Sequence, residues 1–205
     1  MSLKDIDLKV FSSSLQLAST ASDLLIDNLN SEGKTTFIIP GGSTPELFFE
    51  QLAKKRRDWS NIFLIPSDER LVEERSTQSN SGMIKRKLIN RIQGASKPYL
   101  FPILDGIDPR EPDRIVASIN RKVKNFFPIK AAFLGIGNDG HTASLFSGKK
   151  ELFYNYQPFL LMKRSLESFC RVSISEEILI TTPLLIFLVS GRSKKKIIQM
   201  IMSDS

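Results

Sequence analysis

The feature that most constrains this chain is an alternation. Short apolar, β-rich runs end in glycine, proline or charged loops, and an amphipathic stretch follows each one. Thr36 to Ile39 is such a run, stopped by Pro40, Gly41 and Gly42, and it reads as a strand entering a tight turn. Ile62 to Ile65 and Ala131 to Ile136 repeat the pattern. Around them lie segments with apolar residues at helical spacing: Phe11 to Leu29, the stretch opened by Thr44-Pro45-Glu46, Gln78 to Ile92, and Asp113 to Phe126. Phe159 to Met162, Arg171 to Ile174 and Leu184 to Val189 supply further strands, and Ser193 to Met202 a closing helix. Strands separated by helices need crossover connections. The predicted fold class is therefore α/β, a mostly parallel sheet with helices on both faces. No repeat, low-complexity tract or linker divides the chain, and the loop from Lys97 to Pro112, with its four prolines, is too short to do so. Residues 1–205 are expected to form a single domain.

Composition narrows the partners. Twenty-nine basic against 22 acidic residues give a formal charge of +7, which attracts anions, either small phosphorylated ligands or nucleic acid. The basic residues cluster at Lys54 to Arg57, Lys85 to Lys87 and Lys194 to Lys196, within helical patterns where a solvated face is the usual explanation. No aromatic-plus-basic recognition motif accompanies them, so no nucleic-acid partner is expected. One cysteine, Cys170, rules out an internal disulfide framework and any multi-cysteine zinc site, and reads as a small buried hydrophobe. Nothing at the start resembles a signal peptide. The longest apolar run, Leu184 to Val189, falls far short of the about 20 residues a bilayer requires. A cytoplasmic protein with no membrane contact is expected.

Ligands of parallel sheets bind outside the carboxyl ends of the strands, and three polar motifs occur there. The first is Pro40-Gly41-Gly42-Ser43-Thr44-Pro45. Its glycines allow close backbone approach, and the helix start offers N–H groups to an anion. The same residues also fit an ordinary strand-to-helix turn capped by Ser43 or Thr44. The second is Ser67-Asp68-Glu69-Arg70. Arg70 can grip a phosphate or carboxylate bidentately with either acid orienting it, or the three charges can form a surface ion-pair network. The third runs from Gly135 through Gly137-Asn138-Asp139-Gly140-His141 to Phe146. His141 is the only histidine, hence the only imidazole available as a base near neutral pH, and Asp139 can hold its tautomer. The glycines let a strand-to-helix corner expose N–H groups near a developing oxyanion. A lone histidine is also often structural. Arg171 heads a strand and Lys194 follows Gly191 after the last one, so both can bring positive charge to the same sheet edge. There is no nucleophile-elbow serine, dinucleotide fingerprint or Walker loop. What remains is water activation by histidine or acid–base isomerisation of an anionic small molecule.

With these motifs in place the chain resembles the 6-phosphogluconolactonase family. The resemblance is carried by Gly41-Gly42-Ser43-Thr44-Pro45, by Asp68-Glu69-Arg70 with Ser79-Asn80, and above all by Leu134 to Phe146. Arg171 to Ser175 and Gly191-Arg192-Ser193-Lys194 continue it in order. It implies a fold shared with glucosamine-6-phosphate deaminase and ribose-5-phosphate isomerase. It also implies hydrolysis of a phosphorylated sugar lactone to 6-phosphogluconate in the oxidative pentose phosphate pathway, without metal or cofactor. His141 would be the base and Asp139 its partner. Arg70, Arg171 and Lys194 would hold the phosphate or the polar edge of the sugar, while Gly42, Ser43 and Thr44 line the phosphate side. Gly41, Asp68, Asn80 and Gly140 complete the implied substrate-binding set. The rival readings are a noncatalytic sugar-phosphate binder and a sugar-phosphate isomerase or deaminase. Against the latter, Phe146 stands where such deaminases place a glutamate. The family also continues past its last helix into another strand and a tryptophan-bearing tail, and has a proline, histidine and aspartate before the serine-asparagine pair. This chain stops at Ser205 and lacks those residues in Val72 to Gln78, so a smaller sheet or a shortened chain is expected. Monomer and homodimer both stay open.

Overall fold

The computed structural model describes residues 6–30, 32–42, 44–55, 58–94, 96–146, 157–164 and 167–203. The strands formed there are β1 (Thr35–Ile39), β2 (Ile62–Pro66), β3 (Asp68–Arg70), β4 (Tyr99–Leu100), β5 (Ala131–Gly135), β6 (Phe159–Lys163), β7 (Cys170–Ile174) and β8 (Leu185–Leu188). The helices are α1 (Ser14–Asp27), α2 (Thr44–Leu52), α3 (Asn80–Ile84), α4 (Pro112–Lys122), α5 (Glu176–Thr181) and α6 (Lys195–Ser203).

Five strands make one wholly parallel sheet in the order β4-β2-β1-β5-β8. Residues of β1 are buried without exception, because helices and a second sheet cover its two faces. Phe37 and Ile39 point into a cluster with Leu25 of α1, Phe48, Phe49 and Leu52 of α2, and Leu64 and Phe133. Ile38 points the other way, to Ile65, Leu134, Ile115 and Ile119 of α4, and Val172 and Ile174. Burial on both faces is why these strands read as unbroken apolar runs rather than alternating ones. Helix α1 starts where the Ser13 hydroxyl accepts from the Gln16 N–H, leaving its small residues Ala18 and Ala21 to pack in the core.

The remaining strands depart from the expected pattern. Strands β6 and β7 do not extend the parallel sheet. They form an antiparallel layer with β3, in the order β3-β7-β6, on the α4 side. The Asn120 side chain of α4 clamps the start of β6, donating to Phe159 O at 2.9 Å and accepting from Phe159 N at 2.8 Å. Asp68-Glu69-Arg70 is a strand rather than part of a polar turn, a fact its charges conceal. Ser67 joins the two layers: its N–H donates to Ile39 O and its carbonyl accepts from Ile174 N, both at 2.8 Å. The helix expected from Gln78 begins at Asn80, capped by Ser79, and passes into a wider π turn over Lys85–Ile89. Strand β4 and helix α5, of two and six residues, are too short to leave a periodic signal. Among the described residues no helix is long and apolar enough to cross a membrane.

Phe133 sits at the centre of this packing, fully buried, with ring centroids 5.3 Å from Phe48 and 6.3 Å from Phe37. Phe133→Ala should lower unfolding stability by about 3–5 kcal/mol. In denaturant titration this appears as a shifted midpoint with an unchanged slope. A negligible shift would show that this centre is not what holds the layers together.

Candidate functional site

The loops after β1, β2, β5 and β8 leave the sheet at one end and enclose a cavity of about 350 Å³. Gly41, Gly42, Thr44, Asp68, Arg70, Asn80, His141, Arg171 and Lys194 all line it, so the structure gathers nearly every predicted site residue. Ser43 lies outside the described residues. Asp139 stands behind His141, and Gly140 serves the loop, donating to Gly137 O at 3.2 Å. Asn138, not singled out from the sequence, is also in the lining.

The histidine loop is folded by its own backbone. Gly137 N–H donates to His141 O at 2.7 Å, and Thr142 Oγ1 to Gly135 O at 2.9 Å. This turns the His141 ring back so that Nδ1 meets Asp139 Oδ1. The turn requires a glycine at 137, where a Cβ would collide with both the His141 ring and the Asp139 carboxylate. The Phe146 ring packs on the imidazole with centroids 4.6 Å apart. Burial pushes the Asp139 carboxyl up, but hydrogen bonding and charge at His141 outweigh it, and the net direction is below the ordinary value. One expectation is corrected here. The chain passes from β5 into turns rather than a helix, and the N–H groups of Gly137 and Gly140 are spent within the loop. They are not available to an oxyanion.

Opposite, β3 and β7 pair so that Asp68 faces Ser173 and Arg70 faces Arg171. Two like charges directly across a strand pair repel, and carboxylates offset them. Asp68 is buried, accepts from Ser144 Oγ at 2.7 Å and Asn80 Nδ2 at 3.1 Å, and lies 4.0 Å from Arg171 Nη1. Glu69 points to the other face. There it accepts from the N–H groups of Asn80 (2.7 Å) and Ser81 (2.6 Å), tying α3 to β3, and burial pushes its carboxyl up. Neither acid orients the Arg70 guanidinium. Asn80 Oδ1 does, at 2.8 Å, with Gln78 O at 3.0 Å. Asn80 in turn presses on Gly41, where any Cβ would strike it.

Arg171 is buried and gripped by Glu167, while Lys194 reaches the cavity from the single-turn 3₁₀ helix Arg192–Lys194 after β8. Sequence reasoning missed Glu167 and Ser144. Ser144 lies inside the quoted motif without a distinguishing signal, and Glu167 belongs to no motif. Cys170 is half-buried rather than buried.

A glycine loop carrying the imidazole, a buried carboxylate and converging cations meet at the carboxyl edge of a parallel sheet, so the class is an α/β protein with a cationic cavity at that edge. The comparisons with known proteins make this particular. A family model described as glucosamine-6-phosphate isomerases/6-phosphogluconolactonase matches residues 12–205, and the chain belongs to that family. A 6-phosphogluconolactonase of Xylella fastidiosa is 32% identical over 130 residues, 63% of this chain and 52% of that protein; the matched part thus spans about half the length of that relative. A 6-phosphogluconolactonase of Caulobacter vibrioides is 29% identical, covering 97% of this chain and 88% of its own. The crystal structure of a 6-phosphogluconolactonase from Shewanella baltica superposes with a TM-score of 0.86 at 22% identity, covering 97% of this chain and 87% of that one. The fold is therefore that of this family.

The Glu167 carboxyl is held below its ordinary value, first by hydrogen bonding to Arg171 and then by the charges of Arg171 and Arg164. A carboxyl depressed in this way stabilises the fold above its unfolded pKa, about 4.3 for glutamate. That stability is lost as the pH falls through the lower folded value. Glu167→Gln should therefore lower Tm at neutral pH, and its deficit against the parent should shrink at more acidic pH. A deficit independent of pH would show that the pair is not stabilising as ions.

Proposed function

We propose that this protein hydrolyses 6-phospho-D-glucono-1,5-lactone to 6-phosphogluconate. The observation that carries the reading is the chain's one imidazole, facing a cavity walled by Arg70, Arg171 and Lys194, with Nδ1 held by Asp139. Family membership and relatives named as 6-phosphogluconolactonases support it.

With its Nδ1–H donated to Asp139, the neutral ring keeps a lone pair on Nε2. Water bound there loses a proton to Nε2 as its oxygen attacks the lactone carbonyl carbon, and negative charge moves to the carbonyl oxygen. Asp139 stabilises the imidazolium that forms. With the N–H groups of Gly137 and Gly140 used within the loop, the cationic wall and the Gly41-Gly42 backbone stabilise the oxyanion. Collapse of the intermediate breaks the bond to the ring oxygen, which receives the proton back from Nε2 and becomes a hydroxyl, leaving the carboxylic acid. Arg171 and Lys194 hold the phosphate, and Arg70 the polar edge of the sugar. Phe146 favours this reading over a deaminase, because an aromatic ring packed on His141 cannot relay a proton.

The chain is proposed to act as one domain, since both apolar clusters share the parallel sheet. A nucleic-acid role gains no support from the basic clusters: Lys85 pairs with Glu74, and Lys87 with Glu46 and Glu50. A cytoplasmic location accords with the single cysteine.

The test is lactone disappearance with freshly generated substrate, corrected for spontaneous opening. His141→Ala should cut kcat by about 10²–10⁴-fold. Arg171→Ala and Lys194→Ala should mainly raise KM, because anchoring a distant phosphate is largely uniform binding. Full activity in His141→Ala would sink the mechanism.

A further inference from the structure

The hairpin joining β6 to β7 contributes two side chains that belong to none of the sequence motifs, Arg164 and Glu167. Glu167 accepts from Nε and from Nη2 of Arg171, each at 2.7 Å. Its Oε1 also accepts from Arg164 Nη1 at 3.1 Å. The Arg164 guanidinium carbon lies 4.5 Å from the Phe146 ring centroid, and that ring packs on His141. One unbroken series of contacts therefore runs from the imidazole through Phe146, Arg164 and Glu167 to Arg171. The Glu167–Arg171 pair within it is sheltered, with side-chain exposures of 17% for Glu167 and 10% for Arg171. Shelter of that degree keeps the charge-assisted bonds from being screened away.

The geometry at Arg171 has a direction. A guanidinium offers a carboxylate or phosphate either its side edge, Nε with Nη2, or its end edge, Nη1 with Nη2. Glu167 occupies the side edge. The end edge remains, with Nη1 4.0 Å from Asp68 Oδ2 on the lining of the cavity. An arriving anion thus has donors to meet without displacing Glu167, and removing Glu167 frees the guanidinium to swing away.

We propose that Glu167 and Arg164 are positioning residues: Glu167 fixes Arg171 with its end edge toward the substrate's phosphate, and Arg164, held by the same carboxylate, clamps Phe146 against His141. The hairpin then sets the anion anchor and the base together. This rests on the reading of Arg171 as anchor and His141 as base.

The two ends of the series separate kinetically. The full chain is assayed for lactone hydrolysis, and 6-phosphogluconate binding is measured by calorimetry. Glu167→Gln should raise KM and the product Kd about tenfold with kcat within about twofold of the parent. Phe146→Leu should lower kcat about tenfold with KM nearly unchanged. Arg164→Gln, which touches both ends, should move both. Arg164 is half-exposed, so this variant keeps the test available should Glu167→Gln fail to fold. Tighter binding in Glu167→Gln would make Glu167 a competitor of the anion and overturn the proposal. So would unchanged KM and Kd in Glu167→Gln while Arg171→Ala weakens binding. Unchanged binding in Arg171→Ala would instead overturn the anchor reading itself. If the parent binds 6-phosphogluconate but does not accelerate lactone opening, the lactonase reading falls, and the Kd values alone decide the role of Glu167.

Discussion

The parallel pairing of β1 with β2 on one side and with β5 on the other sends the chain out of the sheet repeatedly at the same end. Because β5 pairs in parallel with β8 as well, the glycine loop after β1, the polar strand after β2, the histidine loop after β5 and the turn carrying Lys194 have one place to go. Both faces of the sheet are apolar and covered, so polar groups from these loops can meet only at that edge. The cavity is a consequence of strand direction before it is a consequence of any side chain.

What the antiparallel layer adds is charge in a fixed pattern. Arg70 and Arg171 face one another across β3 and β7, and Asp68 and Glu167 draw off part of their repulsion. The wall is cationic, and each of its two arginines is held by a planar partner: Asn80 for Arg70, Glu167 for Arg171. Rigid donors lose little freedom when an anion arrives, which lets binding free energy go into affinity rather than ordering.

Much of this was legible in the residues, and the illegible part has physical causes. The apolar runs of β1, β2 and β5 announced themselves because burial on both faces leaves no polar position. The histidine loop was readable because glycine at 137 and a lone imidazole are rare together at a strand end. The antiparallel layer was not readable as such. Strand β3 is three charged residues whose pairing depends on β7, about a hundred positions away, and local pattern carries no information about a partner so distant. Glu167 was hidden for a different reason: it lies only four positions from Arg171, but outside any motif, and it takes the folded hairpin to turn it onto that guanidinium. The glycine N–H groups expected to face an oxyanion are instead used within the loop at Gly137 and Gly140, a local competition that composition does not reveal.

Ser67 has a consequence for how such a chain can vary. Its backbone is fixed on one side to β1 and on the other to β7, so the count of residues between the two sheets is set. Side chains along a strand alternate between faces, and a slip of one residue exchanges them all. Insertion or loss of one residue at this junction would carry Asp68 out of the cavity and bring Glu69 in, without disturbing the parallel sheet. The junction can thus change its letters more readily than its length.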